Sequence, residues 1–191
     1  MATVYEIIQG INQAAANAFD GAHEEGLQED GIARKAGLTR ENGHYINDRR
    51  VMDGFNVAFH GPVLRVSYQA EVRIKEVKDA GFENDITGRL QDIVKFLKKE
   101  YKAITGNALT LTKEGDHQIL VQRISNYRTD CQAQCDYRIG GLTEVEAIEG
   151  TSEERLTKTV RDFLKQGRKE STYIGGKVGK TRPKNDTRKG K

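Results

Sequence analysis

The sequence predicts an α+β fold: a mostly antiparallel sheet of about five strands with helices packed on one face, a long glycine-rich arm and a basic C-terminal tail. Three observations carry this expectation. Two-residue alternation over 63–75 and 127–139 marks long, half-buried strands. An apolar stripe at helical spacing over 82–104 marks an amphipathic helix, and Lys and Arg crowd together after residue 167. A chain of 191 residues suits one α+β domain over 1–166, with a flexible arm at 20–54, followed by a basic, glycine-rich tail over 167–191.

The first helix opens on a capping box, Thr3 with Glu6, and carries Val4, Ile7, Ile8, Ile11, Ala15, Ala18 and Phe19 on one side. Gly21 is its expected stop. Residues 20–54 show no sustained period and are rich in glycine, which predicts a flexible arm or an irregular hairpin. Residues 55–59 alternate as a strand, His60-Gly61-Pro62 offers a turn, and the strand over 63–75 follows. Leu64, Val66, Tyr68, Ala70, Val72 and Ile74 share one face of it, while Arg65, Ser67, Gln69, Glu71, Arg73 and Lys75 take the other.

Phe82, Ile86, Leu90, Ile93, Val94, Leu97, Tyr101 and Ile104 form the stripe of the next helix, which Gly106 closes. Its acids at the start and lysines near the end complement the helix dipole, so a solvated face explains those lysines without a ligand. Residues 108–112, a KEGD turn, 117–124 and 127–139 read as three further strands. A final helix begins near Thr151-Ser152, with Glu154 in box position, and stops at Gly167.

Composition excludes several classes. With 36% hydrophobic and 31% charged residues the core is modest, and no stretch reaches the length of a membrane span. The N-terminus lacks the basic start and apolar run of a signal peptide, which fits a protein made in a reducing cytoplasm. Cys131 and Cys135 stand four residues apart on a predicted strand, roughly 13 Å at 3.3 Å per residue, too far for a bridge. Two small buried thiols on one strand face are expected instead.

No catalytic constellation emerges, and the sequence predicts no enzyme, cofactor or metal site. GGKVGKT at 175–181 misses the first glycine of a phosphate loop, since Ile174 stands where it belongs. The flanking residues supply neither a buried strand nor a helix, and Pro183 with a run of charge denies the latter. His23, His44, His60 and His117 form no metal-binding pair, and the acidic residues Glu24, Glu25, Glu29 and Asp30 make no calcium loop.

The tail is the strongest chemical signal. Arg168, Lys169, Lys177, Lys180, Arg182, Lys184, Arg188, Lys189 and Lys191 face only Glu170 and Asp186, so the tail carries a charge of +7. The whole chain is at +3, which leaves the body near −4. Such an arm suits phosphate or an acidic protein surface, and with Tyr173 its lone aromatic, base stacking is poorly supported. One reading is therefore a nucleic-acid-binding protein that uses the tail as an electrostatic anchor.

Four segments point to another reading: VYEIIQGINQAAANAFDGA (4–22), RVMDGFNVAF (50–59), QDIVKFLKKEYKAITGNALTL (91–111) and YRIGGL (137–142). Together they resemble a small virion structural protein of tailed phages of the contractile-tail, marine T4-like type. The resemblance implies a ring-forming protein of the neck, a head–tail connector or a tail terminator, located in the virion and without catalytic residues. The partners it implies are copies of itself, other virion proteins of the neck or tail, and packaged DNA reached through the tail, but no membrane. A ring contact needs two different patches on each subunit, and an acidic body with a basic arm supplies a complementary pair.

Overall fold

Thr3 and Glu6 close the capping box reciprocally: the Thr3 N–H donates to Glu6 Oε1 at 3.0 Å and the Glu6 N–H to Thr3 Oγ1 at 3.1 Å. The computed structural model describes residues 2–35, 53–123, 128–140, 144–145 and 152–171. In chain order the elements are β1 (Ala2–Thr3), α1 (Val4–Lys35), β2 (Asp53–His60), β3 (Val63–Arg73), α2 (Ile74–Val77) and α3 (Phe82–Thr105). Then come β4 (Thr110–Arg123), β5 (Arg128–Gly140), β6 (Glu144–Val145) and α4 (Glu153–Glu170).

The fold is α+β. Four antiparallel strands form one sheet in the order β2-β3-β5-β4, and β1 pairs with β6 in a separate two-residue ladder. Alternation along the strands divides the sheet into two chemically distinct faces. Leu64, Val66, Tyr68, Ala70 and Val72 of β3 are buried beside Cys131, Ala133, Cys135 and Tyr137 of β5 and Phe55 and Val57 of β2. Against that face lies α3, whose whole expected stripe from Phe82 to Ile104 is buried. Both cysteines are buried and free, and burial pushes the Cys131 thiol up to about 11, which leaves it protonated and inert.

Aromatic contacts tie the helices to this core. Phe163 of α4 stacks on Phe96 of α3 at 4.3 Å between ring centroids, and Phe55 of β2 meets both rings edge-on at 6.1 and 6.3 Å. α1 packs against α4 and β2, with Ile8, Ile11, Ala14, Ala15 and Ala18 buried. The opposite sheet face is polar: Arg65 bonds Asp136 at 2.9 Å and Gln69 bonds Asp130 at 3.2 Å across the strand pair.

Several boundaries differ from the sequence expectation. Gly21 does not end α1, which continues to Lys35 and so occupies 20–35 of the expected arm, while β2 begins at Asp53. Each glycine costs a helix only about 1 kcal/mol, and the Ala, Glu, Leu, Gln, Arg and Lys around Gly21, Gly26 and Gly31 are strong helix formers. The rest of that arm, 36–52, lies outside the described residues. The strand expected over 63–75 ends at Arg73, and Ile74 opens the short α2.

The KEGD turn is not a turn, and this reduces the expected five strands to four. Both halves of β4 pair with β5 in one ladder, Glu114 opposite Asp136 and Gln118 opposite Gln134, with a bulge between them. Gly115, at φ 80°, absorbs the extra residues in a backbone conformation that other residues resist. The turn at 61–62 does form: Gly61 takes φ 63° ahead of Pro62, as a two-residue hairpin with a primed turn requires. Gly106 ends α3 as expected, at φ 77°, with its N–H on the Lys102 carbonyl at 2.7 Å.

α4 is capped one residue later than the box reading places it: Ser152 Oγ accepts from the Arg155 N–H at 3.1 Å. It also runs past Gly167 to Glu170. Gly167 is present for packing rather than termination, because a Cβ there would lie 1.6 Å from Arg89 Nη2.

Candidate functional site

Three places concentrate chemistry: a buried charged cluster, a groove on the polar sheet face, and the outer edge of β4. The cluster starts at Asp53, the first residue of β2, whose side chain is wholly buried. One oxygen accepts from the Tyr68 hydroxyl at 2.8 Å and the other from Arg168 of α4. Arg89 of α3 lies against Gly167, reaches Asp92 at 2.8 Å and sits 5.7 Å over the Phe163 ring. Ser171, just beyond α4, donates to Asp85 at 2.9 Å.

Burial dominates the electrostatics of this cluster. It pushes the Asp53 carboxyl above its ordinary value even though the charge of Arg168 and the Tyr68 hydroxyl pull it back down. Burial, reinforced by the Asp53 charge, carries the Tyr68 phenol well above the usual tyrosine range. Arg89 is also buried, and its Nη2 has no hydrogen-bond partner among the described residues. The arrangement joins β2, β3, α3 and α4 at one point. By tying these four elements together it clamps the packing of the helices.

The groove lies where α1 passes the sheet. Phe19 sits over Gly54 so closely that a Cβ there would meet its ring at 2.9 Å. Ala15, Ala16 and Phe19 form one wall, and Asn56, Ser67, Gln69 and Gln132 form the floor of a cavity of about 220 Å³. Its polar lining is amide and hydroxyl, suited to hydrogen bonding and without acid–base power at neutral pH.

The third place is β4. It is the end strand of the sheet, and among the described residues nothing pairs with its outer edge. Past the bulge it carries the large exposed hydrophobics Leu120, 64% exposed, and Val121, 40% exposed. The opposite edge is closed, because Asn12 of α1 accepts the Val57 N–H on its Oδ1 at 2.8 Å and donates to Asn56 at 3.2 Å.

Of the basic residues expected to contact a partner, the structure describes two. Arg168 is in the last turn of α4 and is held by Asp53, so it serves the fold; Lys169 is exposed on the same turn. Lys177, Lys180, Arg182, Lys184, Arg188, Lys189 and Lys191 lie outside the described residues. Sequence reasoning missed Asp53 and Arg89. Arg89 did leave a signal: it stands within the apolar stripe between Ile86 and Leu90, where a charge requires a buried partner. Asp53 left none, since its partner Arg168 is 115 residues away.

Among the described residues no group of His, Cys, Asp or Glu is placed to hold a metal ion, and no helix is long and apolar enough to cross a membrane. No protein-family model matches the chain, and no curated protein or solved structure matches it either.

Proposed function

We propose that this chain is a structural component of a tailed-phage virion, a ring-forming protein of the neck, head–tail connector or tail terminator. The observation that carries the reading is the asymmetry of the sheet. Among the described residues, one edge is covered at Val57 by Asn12 of α1, while nothing pairs with the other, which exposes Leu120 and Val121. Soluble monomers guard such an edge, whereas assembly subunits use it. The four segments that resemble virion proteins of contractile-tail phages give the assembly its setting. The charge division, an acidic body and a basic C-terminal region, gives neighbouring subunits complementary surfaces.

Quantitative mass spectrometry on gradient-purified phage particles from the source system tests this. The expected result is a small, fixed copy number per particle. Absence from particles overturns the virion reading and turns attention to nucleic-acid binding by the basic C-terminal region, with a salt-dependent affinity as its signature.

A further inference from the structure

We propose that residues 118–122, on the outer edge of β4, pair two-fold with the same residues of a second copy of this chain. The segment reads Gln-Ile-Leu-Val-Gln and is symmetric in chemical class about Leu120. In an antiparallel pairing centred there, Leu120 faces Leu120, Ile119 faces Val121 and Gln118 faces Gln122. Every cross-strand pair is thus apolar with apolar or amide with amide, the matches that stabilise a ladder. A two-fold contact requires this self-complementarity, and a contact with an unrelated strand does not.

Three further observations select a second copy as the occupant. The first is that strand addition from β4 of one copy to β2 of the next is blocked, because Asn12 already holds the Val57 N–H on that edge. The second is charge. The five residues carry none, so they offer nothing to attract the basic C-terminal region or a charged peptide. One step outward His117 meets Arg123, and burial together with the charge of Lys113 holds the imidazole towards its neutral form, so no like-charge pair arises.

The third is the placing of protective features. Before the bulge β4 carries Lys113 and Glu114, with Glu114 bound to Arg138, and Gly115 then kinks the strand. These are the devices that discourage edge pairing. Past the bulge, 118–122 has no charge, proline or glycine, while Leu120 is 64% exposed. With the two-fold axis perpendicular to the sheet, two four-stranded sheets join into one of eight, and the buried faces of both lie on the same side. The inference stands on the edge alone and does not require the virion reading; a two-fold contact closes on itself, so under that reading the ring contacts lie on other surfaces and the edge joins two such subunits.

Sedimentation velocity on the full chain over a roughly hundred-fold concentration range tests it. The native protein is expected to sediment as an even-numbered assembly. Leu120→Lys and Leu120→Glu each set like charges face to face across the axis and are expected to halve its mass. An equimolar mixture of the two variants, which sets Lys against Glu, is expected to restore the native mass. Circular dichroism identical to native in both variants shows that the fold survives the exchange at this exposed position. Leu120→Cys is expected to form a covalent dimer on oxidation.

A native chain that stays monomeric throughout the range overturns the proposal. Single variants that retain the native mass also overturn it, because the contact then lies elsewhere. So does a mixture that fails to restore the mass, because Leu120 then faces a different residue of the neighbour.

Discussion

The two edges of the sheet meet water in opposite ways. At β2 the chain supplies its own cover: Asn12 accepts the Val57 N–H, Phe19 sits on Gly54, and Asp53 is buried against Tyr68 and Arg168. At β4 the first half is kinked and charged, while 118–122 carry no charge and expose Leu120 and Val121. Both edges have the same backbone need, since unpaired N–H and C=O groups must find partners. A helix side chain meets that need on one side, while among the described residues nothing meets it on the other. The contrast separates a strand held by the fold from one whose outer edge is exposed among the described residues, so substitutions at the two edges test stability and the proposed self-contact independently.

The largest effect is expected at the closed edge. Asp53→Ala removes the partner of Arg168 and of the Tyr68 hydroxyl and leaves both without it inside the fold. The expected loss is about 3–5 kcal/mol of unfolding free energy, measured by chemical denaturation. A loss below the measurement error would show that the cluster is not a clamp. Gly167→Ala keeps every charge but drives a methyl group into the Arg89 guanidinium, for an expected loss of about 1–3 kcal/mol. Unchanged stability there would mean that Arg89 has room to turn aside.

Asn12→Ala tests the cover itself. It strips the acceptor from the Val57 N–H, which predicts a loss of about 1 kcal/mol and faster hydrogen exchange at that amide. Unaltered exchange would show that the edge is protected by something other than Asn12.

Between the edges, on the polar face, Arg65 holds the Asp136 carboxyl below its ordinary value, through a hydrogen bond first and its charge second. A carboxylate with a depressed folded pKa stabilises the fold above its unfolded value and loses that contribution as pH falls through the folded one. Asp136→Asn is therefore expected to cost a small amount of stability at neutral pH, and the difference from native should vanish in acid. A gap between the two melting curves that persists in acid would exclude this linkage. The smallest effect belongs to the open edge: Leu120→Lys should change subunit stability by less than about 0.5 kcal/mol. A larger loss would mean that Leu120 supports the subunit as well as any contact.

Legibility followed the range of the forces involved. The Thr3–Glu6 box, the α3 stripe with its Gly106 stop, and the buried faces of β3 and β5 were all readable, because each depends on neighbours within a few residues. Three glycine readings failed for one reason. In the sequence Gly21, Gly115 and Gly167 each read as a break, yet Gly21 lies within a helix, Gly115 forms a bulge and Gly167 makes room for Arg89. Glycine permits a break without requiring one, and the surroundings decide which use is made of it.

By itself the sequence determined the α+β class, the period and buried face of the long strands and of α3, and the placing of both cysteines as buried, unbridged residues on one strand face. Local steric preference and hydrophobic period are written residue by residue and survive any packing that buries them. Only the tertiary structure decided that 110–123 is one strand, that α1 closes the β2 edge, and that Asp53 and Arg168 meet. Strand neighbours and buried charge pairs depend on which distant segments arrive together, and the cost of leaving a buried polar group alone is what selects them.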